Sequence, residues 1–255
     1  MKFEEFVDFG FKKVKKSAKA GMVGKVFSDV AKNYDLMNDL MSGGIHRIWK
    51  KKLIAKFKFE HGKTYRILDM AGGSGDIAFG LLKKAGEVGA NVKITVADIN
   101  QEMLDVGVKR AINKNIADQL EFKKEDGQKL TFADASFDYY VISFGIRNFT
   151  DINLGLSEAN RVLKENGQFY CLEFSKVQSL IMDEIYDRFL MKVIPKIGKV
   201  VAKNEEAYEY LAQSIKKFPN QKKFAYMIKD VGFGDVEYQN LTNGVAAIHS
   251  GLKAG

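Results

Sequence analysis

Gly73-x-Gly75-x-x-Ala78 is the first spacing in this chain that could do chemistry. Glycines spaced in this way, between a strand and a helix, let a ligand approach the backbone closely at a helix N-terminus. The free N–H groups and the helix dipole there favour an anionic group. In a dinucleotide that group is a pyrophosphate; in S-adenosylmethionine it is the methionine carboxylate. The neighbouring acids discriminate between the two. Asp69 stands before the glycines and Asp76 directly after them. Two carboxylates repel a pyrophosphate, but they suit a ligand that also carries an ammonium and a sulfonium. S-adenosylmethionine is therefore the preferred cofactor and NAD the competing one. Asp98, 98 − 75 = 23 residues beyond the last glycine, is placed to accept hydrogen bonds from ribose hydroxyls in either nucleotide. Capping of the next helix is its plainer role.

Further along, Asp126-Gly127 could meet an adenine edge or could be only a polar turn. Ser143 leads into Phe144-Gly145-Ile146-Arg147-Asn148. Arg147 is a fixed cation with a fork of donors, suited to an oxyanion or, more plainly, to a salt bridge within the loop. Asn148 can orient a hydroxyl or a water. Three histidines complete the titratable candidates. His61 lies in a polar stretch, His249 near the C-terminus, and His46 in a basic segment where it is the most credible alternative base.

The elements that must position these residues alternate. Tyr65–Met70, Val92–Asp98, Leu120–Lys123, Asp138–Phe144 and Gln168–Phe174 read as strands. Asp76–Ala85, Gln101–Asn113 and Leu154–Leu163 read as helices between them, and Gly167 marks a turn. Such alternation builds βαβ units, hence a parallel sheet with helices on both faces. The candidate positions from 69 to 148 then fall at one sheet edge, beyond the carboxyl ends of the strands, where open α/β sheets bind ligands. The segment from about Lys25 to Phe59 reads as helical with a break at Ser42-Gly43-Gly44. Val236–Leu241 and Val245–Ile248 flank Thr242-Asn243-Gly244 and read as a terminal antiparallel hairpin. Asp29 and Asp151 are expected to cap helix N-termini. Tyr186–Ala202 is apolar with Lys192, Lys196 and Lys199 interspersed. It reads as an amphipathic helix ending near Pro195, or as a lid over an apolar tail with its lysines towards phospholipid.

Length and composition bound the function classes. The 255 residues are 46% hydrophobic and 28% charged, which suits one large α/β domain and excludes collagen, coiled coil and disorder. A single cysteine, Cys171, excludes an intramolecular disulfide and a cysteine-built zinc site, and no metal is expected. The N-terminus carries Glu4, Glu5 and Asp8 and no apolar run, unlike a secretory signal. The net charge of +8 is uneven. Residues 1–66 hold 16 basic and 7 acidic side chains (+9), and residues 67–255 hold 24 and 25 (−1). A basic segment with only Arg47 and Arg66 as arginines suits an anionic membrane surface better than nucleic acid, and a solvated lysine-rich face is the plain alternative.

Several blocks together resemble a known family. They are Val26-Phe27-Ser28 through Asp39, Gly44-Ile45-His46-Arg47-x-Trp49-Lys50, Asp69-x-Ala71-Gly72-Gly73-Ser74-Gly75-Asp76, Asp98-Ile99-Asn100, and Phe144 to Asp151. To these are added Cys171 to Lys176, Tyr208-x-Tyr210-Leu211 with Phe218-Pro219-x-Gln221, and Asn240-Leu241-Thr242. The chain is similar, from about Phe9 to Lys253, to the C-methyltransferases of quinone biosynthesis. Those enzymes methylate polyprenyl benzoquinols for ubiquinone or demethylmenaquinol for menaquinone. Departures are small: Asp126 where the family has Asn, Gly43 where Leu is usual, and Lys164-Glu165-Asn166-Gly167 in place of Lys-Pro-Gly-Gly.

The resemblance implies a class I S-adenosylmethionine-dependent methyltransferase fold, a Rossmann-like α/β domain. It would carry a mostly parallel seven-stranded sheet, a C-terminal antiparallel hairpin and an N-terminal helical cap. Residues 1–64 would be the cap, 65–175 the cofactor-binding core, 176–232 a helical insertion on the substrate side and 233–255 the terminal hairpin. It implies S-adenosylmethionine as cofactor, held by Asp69, Gly73, Ser74, Gly75, Asp98, Asp126, Gly127 and Ser143. Arg147 and Asn148 would assist deprotonation of the ring hydroxyl, with Asp98 accepting through a water. The implied partners are a polyprenyl quinol, a peripheral membrane contact, and a second copy of the chain or a biosynthetic complex; nucleic acid is not among them. The implied location is the cytoplasm, on the inner face of the inner membrane, or the matrix side in a mitochondrion. NAD-dependent oxidoreduction and a non-catalytic scaffold are the competing functions.

Overall fold

The computed structural model describes residues 5–30, 39, 42–199 and 204–255. The part of the family-like block at 31–38 lies outside them. Seven strands form one sheet in the order β5-β4-β3-β6-β7-β9-β8. β3 (Thr64–Met70), β4 (Asn91–Asp98), β5 (Leu120–Lys124), β6 (Phe137–Ser143) and β7 (Leu163–Phe174) run parallel. β8 (Phe233–Leu241) and β9 (Ala246–Lys253) close the far edge antiparallel. Crossovers run through α3 (Asp76–Glu87), α4 (Gln101–Asn113) and α5 (Ile152–Val162). The central strands are apolar along their length because both faces are covered. One face packs Leu53, Phe57, Leu81 and Leu211 against Ile67, Val96 and Val141. The other packs Leu156, Phe218 and Phe224 against Leu68, Tyr140 and Phe169.

Asp151 caps α5 as expected, accepting from the Leu154 N–H at 3.1 Å. Asp29, expected at a helix N-terminus, stands instead in the last turn of α1 (Lys16–Val30). The N-terminal quarter also departs from an all-helical cap. A hairpin of β1 (Phe6–Phe9) and β2 (Lys12–Lys15) precedes α1, turning at Gly10 with φ +57°. Phe9 stacks on Tyr210 at 4.2 Å, and the Phe11 N–H donates to Gln213 Oε1 at 2.8 Å. Tertiary contacts to a distant helix thus hold a hairpin that is too short to stand alone. α2 (His46–Lys56) follows a turn in which Gly43 and Gly44 take φ +60° and +79°.

Two further expectations change. Gly167 does not end a turn: β7 begins at Leu163 and absorbs Lys164–Gly167 as an irregularity opposite β6, with Asn166 at φ +61°. The stretch after Tyr186 is not one helix. α6 (Leu180–Arg188) passes into a π-helical turn, Phe189–Val193, and then α7 (Ile194–Ile197) with Pro195 in its first turn. Proline has no N–H to donate to the preceding turn, so the widened turn sits where the helix would otherwise lose a bond. α8 (Glu205–Lys217) and α9 (Gln221–Asp230), capped by Asn204 and Asn220, lead into β8.

Candidate functional site

The carboxyl ends of β3, β4 and β6 open onto one cavity. Asp69, Gly73, Ser74 and Asp98 line it, and so do Asp126, Gly127, Ser143 and Asn148 from the next loops. Of the residues expected at the site, Gly75 and Arg147 are not in the lining. Gly75 sits just behind, at φ +85° as the residue before α3. There a Cβ would meet the Phe79 ring at 2.9 Å. Gly73 is also left-handed, at φ +47°. Both glycines let the loop turn back, and Asp76 and Ile77 at the start of α3 line the cavity.

Three carboxylates divide the electrostatics. Asp69 ends β3 with its side chain buried. Its Oδ2 accepts from the Ala78 N–H at 3.2 Å, and Oδ1 has no partner among the described residues. Burial pushes its pKa up to about 7. Asp98 ends β4. Oδ2 accepts from the Gly73 N–H at 3.1 Å and Oδ1 from the Asn100 N–H at 2.9 Å; burial pushes its pKa up to about 6. Asp76 corrects the sequence argument. Its carboxylate is held between Lys50 Nζ at 2.8 Å and Arg110 at 2.7 Å, and the two cations hold its pKa at about 2 against burial. The charge on Asp76 is thus matched within the protein, and Asp69, Asp98 and Asp126 are the lining acids without a cationic partner among the described residues. Lys50, from the basic α2, also lines the cavity. Its pairing with Asp76 spans two distant segments and has no local signature.

Ser143 Oγ is buried at the cavity wall with no partner among the described residues. Orphaned buried polar atoms are costly unless a ligand or water completes them. Asp69 Oδ1 and Ser143 Oγ therefore fit a polar ligand with a donor to offer. Asp126 accepts locally from the Gln128 N–H at 2.9 Å. Gly127 is pressed against Phe149, so a side chain there would collide with the ring.

α1 roofs the cavity. Ala20, Val23, Gly24 and Phe27 recur at helical spacing on its inner face; sequence reasoning missed them as a lining, and that spacing is the signal that could have found them. Asn100 ties the roof down, donating through Nδ2 to Gly24 O and to Ser28 Oγ, both at 3.1 Å.

Arg147 stands behind the wall. Its side chain is buried, and NH1 reaches Glu173 Oε1 at 3.0 Å and Phe144 O at 2.5 Å. Nε donates to Ser214 Oγ at 3.3 Å. The salt-bridge alternative weighed for this residue is the arrangement found. Neither His46, paired with Ser42 Oγ at 3.0 Å, nor His61 lines the cavity. His249, on β9 of the terminal hairpin, is buried against Gln221 O at 3.1 Å, and burial pushes its pKa down to about 4.

The model of the ubiE/COQ5 methyltransferase family matches residues 12–253. The chain belongs to this family. It is 51% identical over 247 residues to the ubiquinone/menaquinone biosynthesis C-methyltransferase UbiE of Rickettsia akari, covering 97% of this chain and 98% of that protein. It is 50% identical over 245 residues to the protein of the same name from Brucella anthropi, covering 96% and 92%. Solved structures share the fold at low identity. A Haemonchus contortus phosphoethanolamine N-methyltransferase 2 bound to S-adenosyl-L-methionine superposes with TM-score 0.60 at 17% identity, over 81% of this chain and 52% of that one. The C-methylating domain of the citrinin polyketide synthase also gives 0.60, at 13% identity over the same shares. As a member of the ubiE/COQ5 family the chain is an S-adenosylmethionine-dependent C-methyltransferase, and the NAD reading of the glycine loop is set aside.

Proposed function

We propose that this enzyme methylates a ring carbon of a polyprenyl benzoquinol on the route to ubiquinone, with demethylmenaquinol as the alternative acceptor. The observation that supports it best is the placing of Asn148 in the same cavity as the unpartnered Asp69 Oδ1 and Ser143 Oγ. A donor for a ring oxygen thus faces the groups suited to the cofactor. In this reading the α3 amides after Gly73 and Ser74 take the methionine carboxylate, Asp69 the ammonium, and Asp98 the ribose hydroxyls. Asp126 and Gly127 flank the adenine. Bound there, the cofactor supplies an electrophilic methyl on a sulfonium.

The chain's own residues then align, exclude water and manage one proton. A quinol carbon becomes nucleophilic as its neighbouring hydroxyl gives up a proton, and Asp98, near neutrality, accepts it through a water. The new C–C bond would form as the S–C bond breaks; the ring C–H proton would then pass to water as aromaticity is restored, and the proton held by Asp98 would return through the water to the oxygen, so that one proton is released overall. Asn148 donates to the developing phenolate. Arg147 acts through the turn it holds. Incubation with S-adenosylmethionine and a short-tailed demethyl benzoquinol should yield a product heavier by one methyl on carbon, read by mass spectrometry. Methylation on oxygen, or methylation of a naphthoquinol alone, counts against the reading.

A polyprenyl substrate lives in a bilayer, and one face of the protein suits an anionic lipid surface. No helix among the described residues is long and apolar enough to cross a membrane. α2 instead exposes Ile48, with Ile45 just before the helix, beside Arg47, Lys51, Lys52 and Lys56, and holds no acid. α6 exposes Ile181 (75%), Met182 and Ile185 (64%). The terminal hairpin's turn joins the two helices: Trp49 Nε1 donates to Thr242 Oγ1 at 2.9 Å, and Asn243 Nδ2 meets Met182 Sδ. Basic charge beside exposed aliphatics on α2 is the pattern of an interfacial contact, while α6 adds apolar area and carries Asp183, Glu184 and Asp187 beside Arg188. The protein should sediment with phosphatidylglycerol vesicles at low salt and not with phosphatidylcholine vesicles. Ile181→Ser with Ile185→Ser, or Lys51→Glu with Lys52→Glu, should release it without loss of activity on the short-tailed quinol. A wild type that ignores both vesicles, or a face that proves to bury a second copy by size-exclusion with light scattering, overturns this contact.

A further inference from the structure

α8 presents Tyr210 and Ser214, one turn apart on one face, to the turn that follows β6. Ser214 Oγ accepts from Arg147 Nε, as above. The Tyr210 hydroxyl donates to Asn148 Oδ1 at 3.0 Å. Tyr210 is 4% exposed, and burial raises its pKa, so the phenol stays protonated and remains a donor across the neutral range. Its ring is fixed by stacking on Phe9 of the N-terminal hairpin, at 4.2 Å and an interplanar angle of 20°.

An amide side chain has one acceptor oxygen and one NH2, and free rotation makes their order ambiguous. The buried phenol hydrogen has no other acceptor among the described residues, so a flipped amide would leave that donor unpaired, and the order with Oδ1 towards Tyr210 is favoured. With Oδ1 engaged by Tyr210, Asn148 has Nδ2 left to offer, and no group among the described residues accepts from it. Asn148 lines the cavity and Tyr210 does not; the phenol lies in the layer behind, with Arg147 and Ser214.

We infer that Tyr210 is a positioning residue, which locks the Asn148 amide with its NH2 towards the acceptor's ring oxygen. The inference rests on the reading of Asn148 as the donor to that oxygen. It gives the N-terminal hairpin a part in the reaction, since Phe9 clamps the ring that sets the amide. An amide free to flip would spend part of its time showing a carbonyl oxygen to a developing phenolate, and two acceptors repel. The advantage of a preorganised donor is then lost in the transition state more than in the ground state.

Tyr210→Phe deletes one oxygen and keeps the stacked ring. It should lower kcat on the short-tailed quinol by about 10-fold, with KM for the quinol and affinity for S-adenosylhomocysteine changed less than about 2-fold, since the removal of a direct donor costs roughly 100-fold or more. In an Asn148→Ala background the same change should have no further effect, because its only route is through that amide. Phe9→Ala, which loosens the ring and keeps the hydroxyl, should lower kcat in the same direction by less. One readout is independent of turnover. In 15N-labelled protein with S-adenosylhomocysteine bound, the Asn148 Nδ2 protons should give sharp, separate signals that broaden in Tyr210→Phe. Wild-type kcat in Tyr210→Phe, a multiplicative loss in the double variant, or unchanged amide signals would overturn the role. Sharp signals that respond to Tyr210→Phe in a wild type that methylates no quinol carbon would leave the lock standing and remove the quinol reading alone.

Discussion

Asp98→Asn should weaken S-adenosylhomocysteine binding by at least about 100-fold by calorimetry while the protein stays folded. Hydrogen bonds to a charged group contribute roughly 1.5–3 kcal/mol each, and two ribose hydroxyls would lose such an acceptor. The change also strikes the loop. Asp98 Oδ2 accepts from the Gly73 N–H and Oδ1 from the Asn100 N–H, so an amide NH2 in place of either oxygen sets donor against donor. One residue thereby shapes the glycine turn and, through Asn100, anchors the roof helix α1 at Gly24 and Ser28. An unchanged affinity in Asp98→Asn removes Asp98 from the cofactor site.

The same carboxylates make binding depend on pH, with a defined sign. Asp69 and Asp98 have pKa values raised to about 7 and about 6 from the ordinary 3.8. The ligand-free fold therefore holds protons that the unfolded chain has released. Their stabilising contribution is full below about pH 4 and lost as pH rises to about 7. An ammonium and a sulfonium favour the ionised acids, so binding expels those protons. S-adenosylmethionine affinity should rise between about pH 6 and 8, and rise more steeply than that of S-adenosylhomocysteine, which lacks the sulfonium charge. Asp98→Asn should flatten part of that slope. Equal slopes for the two ligands would show that the sulfonium does not meet these acids.

Removal of one partner of the Arg147–Glu173 pair should have the largest effect on stability. Glu173→Ala leaves a guanidinium with 2% side-chain exposure and no carboxylate. A buried charge stripped of its partner costs about 3–5 kcal/mol, which in a chain of this length lowers the melting temperature by roughly 10 °C. Arg147→Met removes the charge that Glu173 neutralises and should cost a similar amount. Arg147→Met with Glu173→Leu should recover much of the loss, since an apolar pair of like volume avoids burying either charge. Calorimetric melting of the three variants decides the matter. If Arg147→Met melts like the wild type yet cannot methylate, Arg147 acts on the substrate directly. If activity returns in the double variant, the arginine's part is to hold the turn that carries Asn148.

The sheet was legible because its signals are local. Apolar runs such as Asp138–Phe144 mark strands covered on both sides, and Gly73 and Gly75 mark a turn that only glycine adopts easily. Strand ends consequently told which side chains share an edge. The hairpin at Phe6–Lys15 escaped notice because Phe9 and Phe11 find their partners about 200 residues away on α8. Asp76 looked free to attract a cation because Lys50 and Arg110 are remote in sequence and adjacent only after folding. The partner of Arg147 could not be named for the same reason, since Glu173 is on the next strand.

The sequence by itself determined the parallel architecture, the edge at which ligands bind, the kind of cofactor and the family. Those follow from periodicity, turn chemistry and residue types at fixed short spacings. The tertiary structure alone decided which charges are already neutralised, which polar atoms are left without partners, and which way the Asn148 amide faces. Electrostatic pairing and hydrogen-bond completion act over a few ångströms in space, whatever the distance along the chain, so they become readable only once distant segments have met.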